Sequence, residues 1–168
     1  MQETPQQYAA RVLGYVEGKE PLKILESTPK KLAALLKGKT KKQLTKRSAP
    51  ERWSAAEIAA HLSDAEVAIA WRLRQVLSTN GVAIQGYDQN AWAATFDYAQ
   101  RDPKQSLQFF TVLREGNLAL LKSVPRKLWE NYGVHSERGN ESVARIVNLV
   151  AGHDLNHLRQ IESILKAK

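Results

Sequence analysis

The 168-residue sequence has no cysteine and no apolar run long enough to cross a bilayer. Without cysteine, disulfide stapling, thiolate metal ligands and a cysteine nucleophile are excluded together. Any transition metal must then be held by histidine, aspartate or glutamate. The segment Met1-Gln2-Glu3-Thr4-Pro5 lacks a basic patch leading into an apolar stretch, so no secretory signal is legible and a cytoplasmic location is expected, with no membrane partner. Period-two alternation of β-branched residues is nowhere sustained, which favours an all-α domain. There is no internal repeat, and the lysine-rich loop is the one low-complexity stretch.

What is present fits a single globular domain spanning residues 1–168, with 43% hydrophobic and 25% charged residues. The net charge of +8 is concentrated between Lys30 and Arg47. Lys37-Gly38-Lys39-Thr40-Lys41-Lys42 has no interleaved aromatics, so a solvated loop explains it better than a nucleic-acid groove.

Helix starts are signposted. Thr4-Pro5, Thr28-Pro29 and Asp102-Pro103 each put a capping side chain before a proline at the first helical position. The spacing predicts a first helix carrying Tyr8, Val12, Tyr15 and Val16 to Gly18, and a second short piece from Leu32 to Gly38, acting together as one broken element. Ser54 and Glu57 form a capping box with Trp53 and Ile58 at the staple positions, opening a long helix that runs to about Leu77 and stops at Asn80-Gly81. Residues 80–101 read as a crossover containing some helix, with Asp88 as a cap. A helix follows from Asp102-Pro103 to Val124-Pro125, then an irregular stretch from Arg126 to Gly139, then a final helix capped by Asn140. The four long elements predict a four-helix bundle, with a long irregular crossover between the second and third.

Polar residues interrupt the apolar stripes of these helices. In the last one, Val143, Val147, Val150, Ile161, Ile164 and Leu165 mark one face, and Asp154 and His157 fall within it while His153 lies on its flank. His61 sits at the edge of the stripe Ile58, Leu62, Ala65, Ile69, Leu73, Val76. Arg72 lies on the same side, where a cation requires a buried acid or an anionic ligand. Arg114 and Asn117 intrude on the following helix. Each polar group buried without a partner costs ~2 kcal/mol or more, so partners or a metal are implied.

His153 and His157 stand at i and i+4, and His61 would complete three neutral nitrogen ligands with a position left open. Separate hydrogen bonds in a polar core would serve any one histidine, but convergence of three beside a buried acid favours a metal. Imidazole suits zinc, nickel, iron and copper alike. Asp154, from the buried stripe, is the preferred partner for a ligand's second nitrogen. Asp64, Glu57 and Asn156 are also near in sequence, with Glu57 and Asp64 expected at the surface. His135 is read as a loop residue. The segment His153-Asp154-Leu155-Asn156-His157 lacks the glutamate that follows the first histidine of zinc proteases.

The stretch Trp53-Ser54-Ala55-Ala56-Glu57-Ile58-Ala59-Ala60-His61-Leu62-Ser63-Asp64-Ala65-Glu66, with the downstream Gly152-His153-Asp154-Leu155-Asn156-His157-Leu158-Arg159-Gln160-Ile161, resembles the DinB/YfiT-like superfamily. The likeness also takes in the N-terminal pattern and the Tyr87-Asp88-Gln89 crossover. The resemblance implies a four-helix bundle in up-down-down-up order, a homodimer, and a divalent metal on His61, His153 and His157, such as zinc, nickel or iron. It further implies a thiol S-transferase or hydrolase acting on a small-molecule substrate, the former with a low-molecular-weight thiol as cofactor. In that setting Arg72 and Arg114 would hold cofactor carboxylates or pair with Asp154, and Asp64 and Asp88 join them as candidate substrate-binding residues. The alternative is a non-catalytic binding or scaffold protein whose basic loop meets an anionic partner.

Overall fold

In chain order the elements are α1 (Pro5–Gly14), α2 (Pro21–Leu36), α3 (Lys41–Thr45), α4 (Ala55–Ser78), β1 (Val82–Ile84), α5 (Gln89–Thr95), α6 (Pro103–Ser123), a 3-10 turn (Arg126–Glu130), β2 (Tyr132–His135), β3 (Gly139–Ser142) and α7 (Val143–Lys166). They come from a computed structural model, which describes residues 3–166. Capping chemistry explains most of the boundaries. Thr4 and Ser54 each accept from the backbone N–H three residues on, with Gln7 and Glu57 reaching back in return. Asp102 accepts from Lys104 N, and Asp88 opens α5 by accepting from Asn90 N and Ala91 N. Gly38 at φ 72° and Gly81 at φ 81° follow the ends of α2 and α4, a backbone conformation that side chains resist.

Two expected helix starts are corrected. Thr28-Pro29 does not begin a helix, because α2 starts at Pro21 and runs straight through Pro29. The proline removes only the N–H that would bond the carbonyl of Leu25, and that carbonyl instead accepts from Arg114 Nη1 at 3.2 Å. Asn140 is not the cap of the last helix either. It lies in β3, and the hydroxyl of Ser142 accepts from Arg145 N at the start of α7.

The long helices α2, α4, α6 and α7 form the bundle. At one end Leu32 and Leu36 of α2 meet Ile58 and Leu62 of α4, Phe110 of α6 and Leu158 and Ile161 of α7. At the other, Ile24 and Leu25 meet Leu73 and Val76, Leu118 and Leu121, and Val147 and Val150. Sequence therefore rises along the bundle in α4 and α6 together and in the opposite sense in α2 and α7. The up-down-down-up order follows, and it requires the long crossover between the parallel neighbours α4 and α6.

A small sheet lies beside the bundle, with β2 central, parallel to β1 and antiparallel to β3. Strands of three and four residues are too short to show period-two alternation, so the sequence reads these stretches only as irregular. The β2–β3 hairpin closes at Gly139, with φ 74°. Gly133 permits the close packing of β2, since a Cβ there would sit 2.5 Å from Ile84 Cδ1.

Candidate metal centre

Between the two apolar ends of the bundle is a buried polar layer, and it sets the height at which the histidines stand. Arg114 of α6 is 1% exposed and donates to Glu66 of α4 (2.9 and 2.9 Å), to Asp154 of α7 (2.6 and 3.1 Å) and to Leu25 O. Asn117 Nδ2 adds a bond to Glu66 Oε1 at 3.0 Å. The guanidinium thus binds three helices of the bundle together, with two carboxylates against one cation.

One turn from this layer, His61 on α4 and His153 and His157 on α7 converge. Their ligand-capable nitrogens all lie within 4.8 Å of one another. Ring centroids are 5.1 Å apart for His61 and His153, 4.8 Å for His61 and His157, and 4.4 Å for the i, i+4 pair. His61 Nε2 and His153 Nε2 are 2.9 Å apart. His61 and His157 are buried, and His153 is half-buried.

Burial is the first cause of charge suppression at all three. It holds His61 and His153 well below the usual imidazole range, and the neighbouring imidazoles press the same way. His157 is lowered to about 4, with the Gln160 hydrogen bond and the Asp154 charge acting in the opposite sense. Neutral imidazoles present lone pairs, which is the state a cation needs. At His157 the tautomer is set: Nδ1–H donates to Gln160 Oε1 at 2.9 Å, leaving Nε2 free. His61 Nδ1 is buried without a partner, and the Trp53 ring lies 4.8 Å from the His61 ring.

The donor set fits a divalent cation. Three nitrogens at ~2.1 Å from one tetrahedral ion are about 3.4 Å apart, a spacing bracketed by the 2.9 Å between His61 Nε2 and His153 Nε2 and the 4.8 Å within which all three lie. Three neutral nitrogen ligands also match the chemistry of open metal sites.

Several side chains take roles other than those their sequence positions suggested. Asp154 bonds Arg114 and no imidazole, so it does not orient a ligand's second nitrogen by direct contact. Arg114 is saturated by buried partners and has no reach to a cofactor carboxylate. Asp88 caps α5 at the surface. Glu57 and Asp64 are buried at 3% and 9% exposure, not solvated. Glu57 pairs with Arg47, and both Asp64 oxygens accept from Arg101 Nη1 at 2.8 and 2.7 Å. Asn156 accepts from Arg11 Nη1 at 2.9 Å and so ties α1 to the turn between the two α7 histidines. Among the described residues Arg72 bonds only the Gln85 carbonyl, at 3.0 Å. His135 is not a loop residue but a buried member of β2. Glu66 went unrecognised by sequence reasoning, although its place in the series Leu62, Glu66, Ile69, Leu73 marks it as an acid on the buried stripe.

A sequence-family model of the DinB superfamily matches residues 24–161. Among curated proteins, the "Putative metal-dependent hydrolase OB0782" of Oceanobacillus iheyensis is 27% identical over 116 residues, 69% of this chain and 67% of the relative. The "Putative metal-dependent hydrolase YfiT" of Bacillus subtilis is 24% identical over 144 residues, 85% of this chain and 81% of the relative. Among solved structures, YfiT from Bacillus subtilis, described as a probable metal-dependent hydrolase with an unusual four-helix bundle topology, superposes with a TM-score of 0.81 at 21% identity, covering 97% of this chain and 88% of that one. A mycothiol-dependent maleylpyruvate isomerase gives 0.59 at 9% identity over 84% of this chain and 56% of its own. At those identities the structural likeness concerns the fold.

Proposed function

Because the chain belongs to the DinB superfamily, we propose that it is a metal-dependent enzyme acting on a small molecule, with His61, His153 and His157 holding a divalent cation. The observation that carries this reading is the convergence of three neutral imidazoles at one depth in the bundle. A bound divalent ion of this kind lowers the pKa of a coordinated water or thiol to near neutrality and polarises an oxygen of the substrate.

The chain's own contribution is rigid placement. Arg114 fixes α4 and α7 in register through Glu66 and Asp154, so the two helices present their imidazoles to the same point. Gln160 fixes one tautomer. The carboxylates flanking the triad in sequence, Glu57, Asp64 and Asp154, are each engaged by an arginine. No free carboxylate base is therefore supplied there, in contrast to the zinc proteases.

The names of the curated relatives support hydrolysis. Thiol S-transfer uses the same site, and the absence of cysteine requires the thiol to come from a cofactor. Metal analysis of protein purified without a histidine tag tests the core of the proposal. One divalent ion per chain is expected, lost in His157→Ala. Turnover of an ester and amide panel, compared with turnover of an electrophile in the presence of added thiol, then separates the two reactions. Absence of any stoichiometric ion in the wild type would refute the reading.

A further inference from the structure

We propose that Arg72, Tyr87, His135 and Arg138 form a subsite for an oxyanion, a carboxylate or phosphate group carried by the small molecule that the triad acts on. The assignment of the substrate class rests on the metal-dependent reading, but the subsite is argued from its own residues.

Arg72 is a half-buried cation that forms no ion pair among the described residues. Its single hydrogen bond goes to Gln85 O, and its guanidinium lies 5.6 Å over the Tyr87 ring. A guanidinium has five N–H donors, so most of its capacity is unspent. Burial opposes its charge, and the Arg138 charge adds to that opposition. An arginine does not escape by losing a proton. Tyr87, Glu141 and Glu137 act in the opposite sense without pairing with Arg72, so a directly bound anion would still offset part of the cost of its burial.

His135 supplies an independent observation. Its Nδ1 accepts from Glu137 N at 3.1 Å, so the proton resides on Nε2. That Nε2–H is buried with no partner, in a side chain 2% exposed. A buried donor left unsatisfied costs about 1–3 kcal/mol, which an acceptor bound at Nε2 would relieve. The same short segment, Gln85 to Tyr87, contacts both groups: Arg72 bonds Gln85 O, while a Cβ on Gly86 would lie 3.5 Å from His135 Cε1. The Arg72 and Arg138 charges both reach His135.

Apart from Glu137, the surrounding charged groups are donors or already paired. Arg138 gives two bonds to Glu141, at 2.7 and 3.0 Å, and keeps further N–H groups. Glu141, whose charge also reaches the site, is neutralised by that pair. Glu137 is the remaining acid: it is exposed, and its carboxyl carbon lies 3.7 Å from where a Cβ on Gly86 would stand, so an anion bound here would displace it toward solvent. Tyr87, stacked on Trp92 at 4.2 Å, and Tyr8 of α1 are both kept protonated by burial, which the Arg138 charge partly opposes. Unspent donors on Arg72, Arg138 and His135 suit a ligand with an anionic group.

Calorimetric and thermal-shift titrations with succinate and with inorganic phosphate, at matched ionic strength, test the subsite and distinguish its two forms of anion. They are run on metal-stripped wild type and on His157→Ala, so that failure of the metal reading leaves the anion readout intact. Saturable binding of at least one anion is expected, weakened about tenfold or more in Arg72→Gln and also weakened in His135→Phe. Lys104→Gln, at the surface, should bind as wild type. Should Arg72→Gln lose its helical circular dichroism, Arg72→Lys, which keeps the charge without the planar fork, takes its place with a smaller loss expected. No saturable binding of either anion, or undiminished binding in the Arg72 variant, would overturn the proposal.

Discussion

Arg114 donates to three acceptors on three helices, and removing it would leave Glu66 and Asp154 as two uncompensated carboxylates with almost no access to water. Breaking a buried pair from one side costs about 3–5 kcal/mol. Arg114→Met, which preserves length but not charge, should therefore lower stability by about that amount in urea denaturation at neutral pH; a loss below about 1 kcal/mol would show that the layer does not hold the bundle. The histidines predict the acid limb of stability. His157 falls from 6.5 to about 4 on folding, and His61 and His153 move in the same direction. Between those limits the unfolded chain binds more protons than the folded one, so this contribution is complete above the unfolded value and drains away as pH falls toward the folded one. Urea midpoints of the metal-stripped protein should fall from about pH 7 to about pH 5, and less steeply in His157→Gln. A flat wild-type profile would contradict the burial argument.

Among the elements, α7 depends on one position for its approach to α1. A Cβ on Gly152 would stand 2.1 Å from Val12 O and 2.6 Å from Val12 C, both backbone atoms. Alanine gains ~1 kcal/mol of intrinsic helix propensity over glycine, but a backbone clash cannot be relieved by a rotamer change. Gly152→Ala should destabilise by about 1–3 kcal/mol and, because α1 holds Asn156 through Arg11, loosen the turn carrying His153 and His157. Comparing melting temperature and metal affinity of the variant with those of Gly116→Ala, where nothing lies within 4 Å of the added carbon, isolates the contact. Equal behaviour of the two would remove it. At the other face of the site, Ser54 anchors the first turn of α4, and Ser54→Ala should cost about 1 kcal/mol by chemical denaturation.

At the scale of the whole molecule, the triad joins α4 to α7, helices separated by the crossover, α6 and the small sheet. An ion held by all three imidazoles stabilises only the folded chain, by ~2.7 kcal/mol at a free concentration one hundred times its Kd. Chelation should lower the melting temperature by several degrees, with restoration on adding back the metal, and His61→Ala should show no such response. A melting temperature indifferent to chelation in protein shown to contain the ion would place that ion elsewhere.

Periodicity and capping chemistry, both local, were enough to locate α4, α6 and α7, though not the full extent of α2, and with them the box at Ser54 and Glu57 and the polar residues that break the apolar stripes at His61, Arg114, Asp154 and His157. A helix face is readable because its period is fixed, and three histidines on core-facing sides of two helices already suggested a shared point. What those residues touch was not readable. Whether Asp154 would meet an imidazole or Arg114, and whether Asp64 and Glu57 would be solvated or paired with Arg101 and Arg47, depends on partners 10 to 40 residues away in sequence, and a single helix carries no information about its neighbour's height. Pro29 shows the same limit: its local signal is a helix start, yet α6 supplies the donor that lets α2 continue past it. Strands of three or four residues were invisible because their hydrogen bonds, not their side-chain pattern, define them. The sequence by itself determined the helices and the ligand-capable side chains, because these follow from interactions within a few residues. Only the tertiary structure decided which charges are neutralised and which polar groups, like the guanidinium of Arg72 and Nε2 of His135, are left with donors unspent, because burial and pairing are properties of the packed chain.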